Sequence, residues 1–312
     1  MMTAPETDQG EPDRAGAPDR YAVMGQPVAH SQSPFIHRAF AVQTGQVLQY
    51  ERIECPLDGF EATLRQFIAR ADPARSLGPA RGCNITVPFK FQVLPLAAQA
   101  SPRALLAQAA NTLMLDGDGW AADNTDGVGL VRDISEGAGL DLRGRRLLLI
   151  GAGGAAAGVL GPLLAAGPAQ LVLANRSQDK AGALVARHQA WAEQHGVKLH
   201  ASGLADCGRH FDLVINSSAS SLAGAAVPVA DEVLRPGSLA IDLMYGAAAA
   251  AFLRWAQARQ AIGRDGLGML VEQAAEAFWL WRGLRPQTAP VLTALRQRLG
   301  TPAASPAPDR AR

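Results

Sequence analysis

Between residues 145 and 158 the sequence reads RRLLLIGAGGAAAG, an apolar run of strand length that stops at glycine and reopens at helical period. A strand without alternation must be buried on both faces, and such strands belong to parallel sheets with helices packed above and below. LVLAN, FDLVINSS and GSLAIDLMY repeat the apolar run, and AGVLGPLLAAG and DKAGALVARHQAWAEQHG lie among them at helical period. Neighbouring parallel strands need long crossovers, so this half of the chain reads as a compact, doubly wound α/β unit.

Upstream, apolar runs again alternate with amphipathic ones. YAVMG reads as a strand stopping at Gly25, and SPFIHRAFAVQTG as a helix with Pro34 in its first turn and Gly45 at its end. VLQYERIE is a second strand, FEATLRQFIARA a second helix and GCNITV a third strand; a helix is expected through FQVLPLAAQA despite Pro95. A fourth element surrounds NTLML, GDGW supplies a turn, and NTDGVGLVRDISEGAG reads as a connecting helix. GMLVEQAAEAFWLWRG is the last strong helix, expected to return to the first unit and make it discontinuous. The expected division is residues 20–126 with 266–300 as one domain and 127–265 as the other, a natural partition for 312 residues. Residues 1–19 and 301–312, polar and proline-rich, are expected to be disordered tails.

Composition narrows the partner. The net charge is +1 and no basic run gathers the arginines, which argues against nucleic acid and an anionic membrane surface. No apolar run approaches the ~18 residues of a membrane span, and the first nineteen residues lack the apolar core of a signal peptide. Cys55, Cys83 and Cys207 are far apart, with no C-x-x-C and no histidine at ligand spacing, so they read as buried thiols in a reducing compartment rather than as a metal site. The expectation is a cytoplasmic protein that binds a small molecule, as a homodimer or a monomer.

The glycine-rich turn indicates which molecule. Gly151, Gly153 and Ala156 fit G-x-G-x-x-G/A, in which the glycines allow a tight turn and close approach of a pyrophosphate to the backbone. The helix that follows offers free N–H groups to the phosphates. The motif alone is unspecific; the strand before it and the helix after it point to a dinucleotide. The next strand ends at Asn175, where an acid would usually bind a free ribose 2′-hydroxyl, and NRSQDK follows with Arg176 and Lys180. A guanidinium grips a 2′-phosphate that an acid would repel, so the sequence favours NADP over NAD. A plain polar loop with a helix-surface cation remains the competing reading.

Of 29 basic residues only three are lysine: Lys90, Lys180 and Lys198. Where its surroundings favour it an ammonium can release its proton near neutral pH, and a guanidinium effectively cannot, so Lys90, closing GCNITVPFK, is a candidate titrating group. Asn84 and Thr86 lie on one side of the strand before it, as ligands or as groups satisfying a strand end. Ser31 and Ser33 precede a helix start, where two hydroxyls can receive a carboxylate or Ser33 can simply cap the helix. Asp126, in DNTDG, likewise reads as a helix cap.

VMGQPVAHSQSPFIH, GCNITVPFK, AANTL, DNTDGVGL, GAGGAAAG, NRS and DGLGMLVEQAA occur in the order and at about the spacing of shikimate dehydrogenase, which the chain resembles from about Tyr21 to Gly300. The resemblance implies a Rossmann-type NADP domain beside a substrate-binding domain, and NADPH-dependent, reversible reduction of 3-dehydroshikimate to shikimate on the route to aromatic amino acids. It implies that Ser31 and Ser33 grip the substrate carboxylate, that Asn84, Thr86, Asn111, Asp126, Tyr245 and Gln273 are substrate ligands, and that Lys90 is the catalytic lysine with Asp126 beside it. For the cofactor it implies Gly151, Ala152, Gly153, Gly154 and Ala155, then Asn175, Arg176, Ser177, Gln178, Asp179 and Lys180, with Leu243 and Gly266; it implies no metal. Gln273 shares one side of its helix with Leu270, Ala274 and Ala277, which offers a polar group to an apolar interior. Departures are Leu243 where some relatives carry methionine, Gln108 where glycine is frequent, and NSSASS for NATSxG, so Ser217 and Ser218 receive no chemical role. An NAD-preferring quinate/shikimate dehydrogenase would carry an acid in place of Arg176, and a non-catalytic sensor of a shikimate-like ligand would lack the Lys–Asp pair.

Overall fold

The computed structural model describes residues 17–70, 78–116, 119–218 and 227–301. In the first of two sheets, β1 (Asp19–Gly25), buried from Arg20 onward, pairs in parallel with β2 (Leu48–Glu54) and β3 (Ala80–Ile85). α1 (Ser33–Thr44) connects β1 to β2, closing on Gly45 at φ 66°, and α2 (Phe60–Ala69) connects β2 to β3. The short β4 (Gln99–Ala100) and α3 (Pro102–Ala107) come next, and β5 (Thr112–Asp116) and β6 (Gly119–Asp123) extend the sheet antiparallel beyond β3. The order is β2-β1-β3-β5-β6-β4.

The helix expected through FQVLPLAAQA does not form. Two 3₁₀ turns, Phe89–Phe91 and Leu94–Leu96, stand in its place. Pro95 has no N–H to continue a helix, and the backbone N–H groups of Ala98 and Ser101 donate to Trp120 and Ala122 instead, drawing the chain onto the edge of β6. Gln108 closes α3 in the left-handed conformation at φ 52°, which glycine adopts without strain.

The connecting helix is α4 (Asp126–Arg132), continued by a π-turn to Gly137. It leads to β7 (Arg146–Ile150), α5 (Gly154–Ala165), β8 (Gln170–Ala174), α6 (Gln178–Gln194), β9 (Lys198–Ser202), β10 (Leu213–Asn216), β11 (Leu239–Asp242), α7 (Ala250–Gln257) and β12 (Ile262–Arg264). The strands pair in parallel in the order β12-β11-β10-β7-β8-β9, so the chain reverses direction across the sheet between β7 and β10. Leu147 and Leu149 of β7 face a core shared with α4, α5 and α6, while Leu148 and Ile150 face one shared with Phe252 and Ala256 of α7. Helices thus cover both faces, as the unalternating runs required.

α8 (Leu267–Arg282) packs against α4, and its Leu267, Val271 and Phe278 share a core with Ile36 and Phe40 of α1. That core also takes Val291 and Leu295 of α9 (Ala289–Leu299), a helix absent from the sequence reading. Glu276 of α8 is buried and receives Arg103 of α3, Arg132 of α4 and Arg285, so one carboxylate ties three segments together. The three cysteines are buried free thiols, and burial pushes Cys55 up to about 11. The expected tails lie mostly outside the described residues, although β1 already starts at Asp19 and Thr301 donates its N–H to Arg296. Residues 117–118 of the GDGW turn also lie outside them. Among the described residues no helix is long and apolar enough to cross a membrane.

Candidate active site

Lys90 stands in the turn that follows β3, and the turn is fixed from below. Phe89 is fully buried and stacks on Phe60 with ring centroids 4.6 Å apart, while the Lys90 carbonyl accepts from Ala110 N–H at 2.9 Å. The Lys90 ammonium donates to Asp126 Oδ2, both side chains being largely buried. Asp126 therefore does not cap α4. Thr125 occupies the N-cap position, and the carboxylate is claimed by Lys90 and by Asn111, whose Nδ2 donates to Oδ1 at 2.8 Å.

Asn111 joins Lys90 and Asp126 to the rest of a polar network. Its Oδ1 accepts from the Thr125 N–H at 2.8 Å, and its Nδ2 also lies 3.3 Å from Gln273 Oε1 on α8. Asn84 donates to Thr112 Oγ1 at 3.0 Å and to the Asn111 carbonyl at 3.2 Å, and accepts from the Tyr50 hydroxyl at 2.7 Å. Beneath Tyr50 lies His37, fully buried and stacked on it at 4.3 Å. Thr86 does not join: β3 ends one residue earlier, its methyl packs towards Gly25, and its hydroxyl makes no hydrogen bond among the described residues.

A second polar group forms where α1 begins. Gln32, not Ser33, is the N-cap residue; Ser33 lies one position inside the helix, so its hydroxyl meets that of Ser31 at 3.1 Å instead of a helix N–H. Arg52 of β2 donates from Nε and Nη2 to the Ser31 carbonyl at 2.8 and 2.5 Å. Tyr245, carried on the loop after β11, packs against the core that α1 and α8 share.

The glycine-rich turn lies at the carboxyl ends of β7 and β10, where strand order reverses and open α/β sheets bind their ligands. Gly151 has φ 106°, and a side chain there would come within 2.8 Å of Ser217 Oγ. Ser217 and Ser218 are structural: the first donates its hydroxyl to the Ile150 carbonyl at 2.7 Å, the second to Asn216 Oδ1 at 2.7 Å. Gly153 is the N-cap of α5, and a Cβ on Gly154 would touch Lys90 Cβ and Cδ at 3.6 and 3.7 Å. Further along α5, a Cβ on Gly158 would meet Asn124 at 2.8 Å and Asp126 Oδ2 at 3.0 Å. The helix that follows the glycine turn therefore runs directly against the Lys90–Asp126 pair.

These features fit a dinucleotide. Ala152 and Ala155 complete a small-residue turn over the first N–H groups of α5, and the segment Arg176 to Lys180 beyond β8 is exposed, with Asn175 half-buried beside it. Asn175 Nδ2 donates to the Ser177 carbonyl at 2.9 Å, and among the described residues neither Arg176 nor Lys180 is held in an ion pair. Leu243 and Gly266 are brought together, since a Cβ at Gly266 would lie 2.3 Å from the Leu243 carbonyl oxygen.

The family model of the shikimate dehydrogenase substrate binding domain matches residues 23–113, that of shikimate / quinate 5-dehydrogenase residues 132–236, and that of the shikimate 5′-dehydrogenase C-terminal domain residues 266–296. The shikimate dehydrogenase (NADP(+)) of Methylibium petroleiphilum is 64% identical over 282 residues, 90% of this chain and 95% of that protein. The chain belongs to the shikimate dehydrogenase family. Another member, from an Acidovorax species, is 56% identical over 90% of this chain and 96% of its own length. Among solved structures, an Ael1 enzyme from Pseudomonas putida is 45% identical with TM-score 0.76, covering 89% of this chain and 98% of that one. Shikimate 5-dehydrogenase from Thermus thermophilus in complex with NADP(H) and shikimate is 30% identical with TM-score 0.73, covering 90% and 100%.

Within this family member, two residues at the site escaped the sequence reading. Tyr50 and Arg52 sit on β2, 34 and 21 positions from the residues they bond. Their one signal was a phenol and a cation two apart on a strand, hence on the same side, which ordinary surface strands also show.

Proposed function

We propose that this chain catalyses the reversible, NADPH-dependent reduction of 3-dehydroshikimate to shikimate, in the route to aromatic amino acids. The observation that carries the proposal is the Lys90–Asp126 pair packed along the first turns of α5, beside the glycine-rich turn. A proton-carrying group and a dinucleotide cradle stand in contact there. Gly151 to Ala155 would hold the pyrophosphate, Asn175 to Lys180 the 2′-phosphate end, and Leu243 with Gly266 the remainder. When bound, the cofactor supplies the hydride.

The chain's own residues manage the charge that hydride delivery creates. Negative charge builds on the carbonyl oxygen, and Lys90 neutralises it by giving up a proton from Nζ. In the reverse direction a deprotonated Lys90 accepts the hydroxyl proton. Asp126 aims the ammonium and is itself held by Asn111 Nδ2, so the donor is positioned before substrate arrives. We assign Ser31, Ser33 and Tyr245 to the substrate carboxylate, and Asn84, Thr86, Asn111 and Gln273 to its hydroxyls.

The two lobes of this reading are residues 20–126 with 266–300, and 127–265, in a cytoplasmic enzyme. Mixing the protein with shikimate and NADP should raise absorbance at 340 nm, with slower rates for NAD or quinate. No change would end the proposal. Lys90→Arg keeps the cation but not the exchangeable proton, and should lower kcat by roughly 10²- to 10⁴-fold with a near-normal KM for shikimate. A near-normal kcat would leave Lys90 an orienting group only.

A further inference from the structure

Ser31, Ser33 and Tyr245, the residues assigned to the substrate carboxylate, are all neutral. A carboxylate bound by hydroxyls alone exchanges water for equivalent partners, whereas a nearby cation adds attraction that water does not replace. Arg52 lies beside this group and was assigned no role. Its guanidinium has five N–H donors, of which Nε and Nη2 go to the Ser31 carbonyl at 2.8 and 2.5 Å. Two donors on one oxygen fix the turn that presents the Ser31 hydroxyl, and that hydroxyl in turn meets Ser33. Among the described residues no carboxylate pairs with Arg52, so its charge is not spent on an internal acid.

We infer that Arg52 is the positioning residue of the carboxylate grip, anchoring the Ser31 turn and lending positive charge to an anion that the three hydroxyls would otherwise meet uncharged. The inference rests on the carboxylate assignment above. The reach of the charge shows at Tyr245: burial raises the pKa of its phenol, and the Arg52 charge pulls it back. Because Arg52 is exposed, salt should screen its contribution. Lysine would keep the charge but not the paired donors.

The full chain carrying Arg52→Gln or Arg52→Lys is compared with the parent in initial rates, using shikimate and its uncharged methyl ester at low and high salt. For Arg52→Gln, KM for shikimate should rise roughly tenfold to a hundredfold, with kcat, KM for NADP and melting temperature near parent values. Arg52→Lys should recover part of that loss, methyl shikimate should lose clearly less than shikimate in Arg52→Gln because only the anchoring of the turn and not the charge acts on it, and salt should raise KM for shikimate in the parent far more than in Arg52→Gln. An unchanged KM for shikimate in Arg52→Gln overturns the inference. So does an equal loss with the methyl ester, which would make Arg52 a support of the turn and nothing more. If the parent itself does not reduce NADP with shikimate, it is the activity that fails and not the role of Arg52.

Discussion

Lowering the pH from 7 to 4.5 should destabilise the fold by about 2.5 kcal/mol through His37 alone. The ring is fully buried among Tyr50, Phe40, Phe278 and Trp281, and burial lowers its pKa from 6.5 to about 3. Asn84 opposes this, although neither ring nitrogen has a partner at hydrogen-bonding geometry. The folded protein refuses a proton that the unfolded chain takes up, so stability from this residue is complete above pH 6.5. It is lost progressively as pH falls from there to about 3. Each pH unit inside that window costs about 1.4 kcal/mol per proton, which over the two units from 6.5 to 4.5, with the titration curve rounding the start, gives the figure above. Urea midpoints at pH 7 and 4.5 for the parent and for His37→Phe measure it, with His37→Leu as a check against overpacking. The variants should lose less stability than the parent by about that amount. Parallel losses in all three would refute the reasoning, because His37 would then be titrating in the fold as it does in water.

Gln108→Gly should stabilise the protein by about 1 kcal/mol, because relief of a left-handed side chain outweighs the entropy glycine adds to the unfolded chain; a lower urea midpoint would count against it. Gly129→Ala places a methyl 2.5 Å from the Gln273 backbone nitrogen, so α4 and α8 must part by roughly 1 Å. It should cost about 1–3 kcal/mol in thermal or urea melts and, by moving Gln273 away from Asn111, lower kcat/KM for shikimate. An unchanged melt would mean that the helices have slack at this crossing.

Much of this architecture could be read from local pattern. RLLLI and QLVLA announced burial on both faces, and the glycines after Ile150 announced a turn that the structure builds with positive φ at Gly151. Where reading failed, the deciding partner was distant in sequence. FQVLPLAAQA has helical spacing of apolar residues, yet Trp120 captures the Ala98 N–H and Ala122 that of Ser101 just beyond it, for the sheet. Asp126 and Ser33 sat at plausible cap positions, but Lys90, 36 residues away, and the hydroxyl of Ser31 had stronger claims on them. Tyr50 and Arg52 give no local sign of their partners. α9 is a different case: Pro290 opens it, Val291 and Leu295 mark its buried side and Gly300 closes it at φ 63°, so its signals were present and unused.

The scarcity of lysine has a practical consequence. Of three ε-amines in the chain, those of Lys180 and Lys198 are on exposed residues, and that of Lys90 is largely buried against Asp126. Reductive ¹³C-methylation would thus place isotopic labels at three side chains and the amino terminus, and the buried amine would stand apart from the solvated ones in its reaction rate and chemical shift. Whether the Lys90 nitrogen carries a proton at a given pH becomes a matter of following a single resonance. The same simplicity would let one spectrum, taken with and without shikimate, report the state of that nitrogen in the free and bound enzyme.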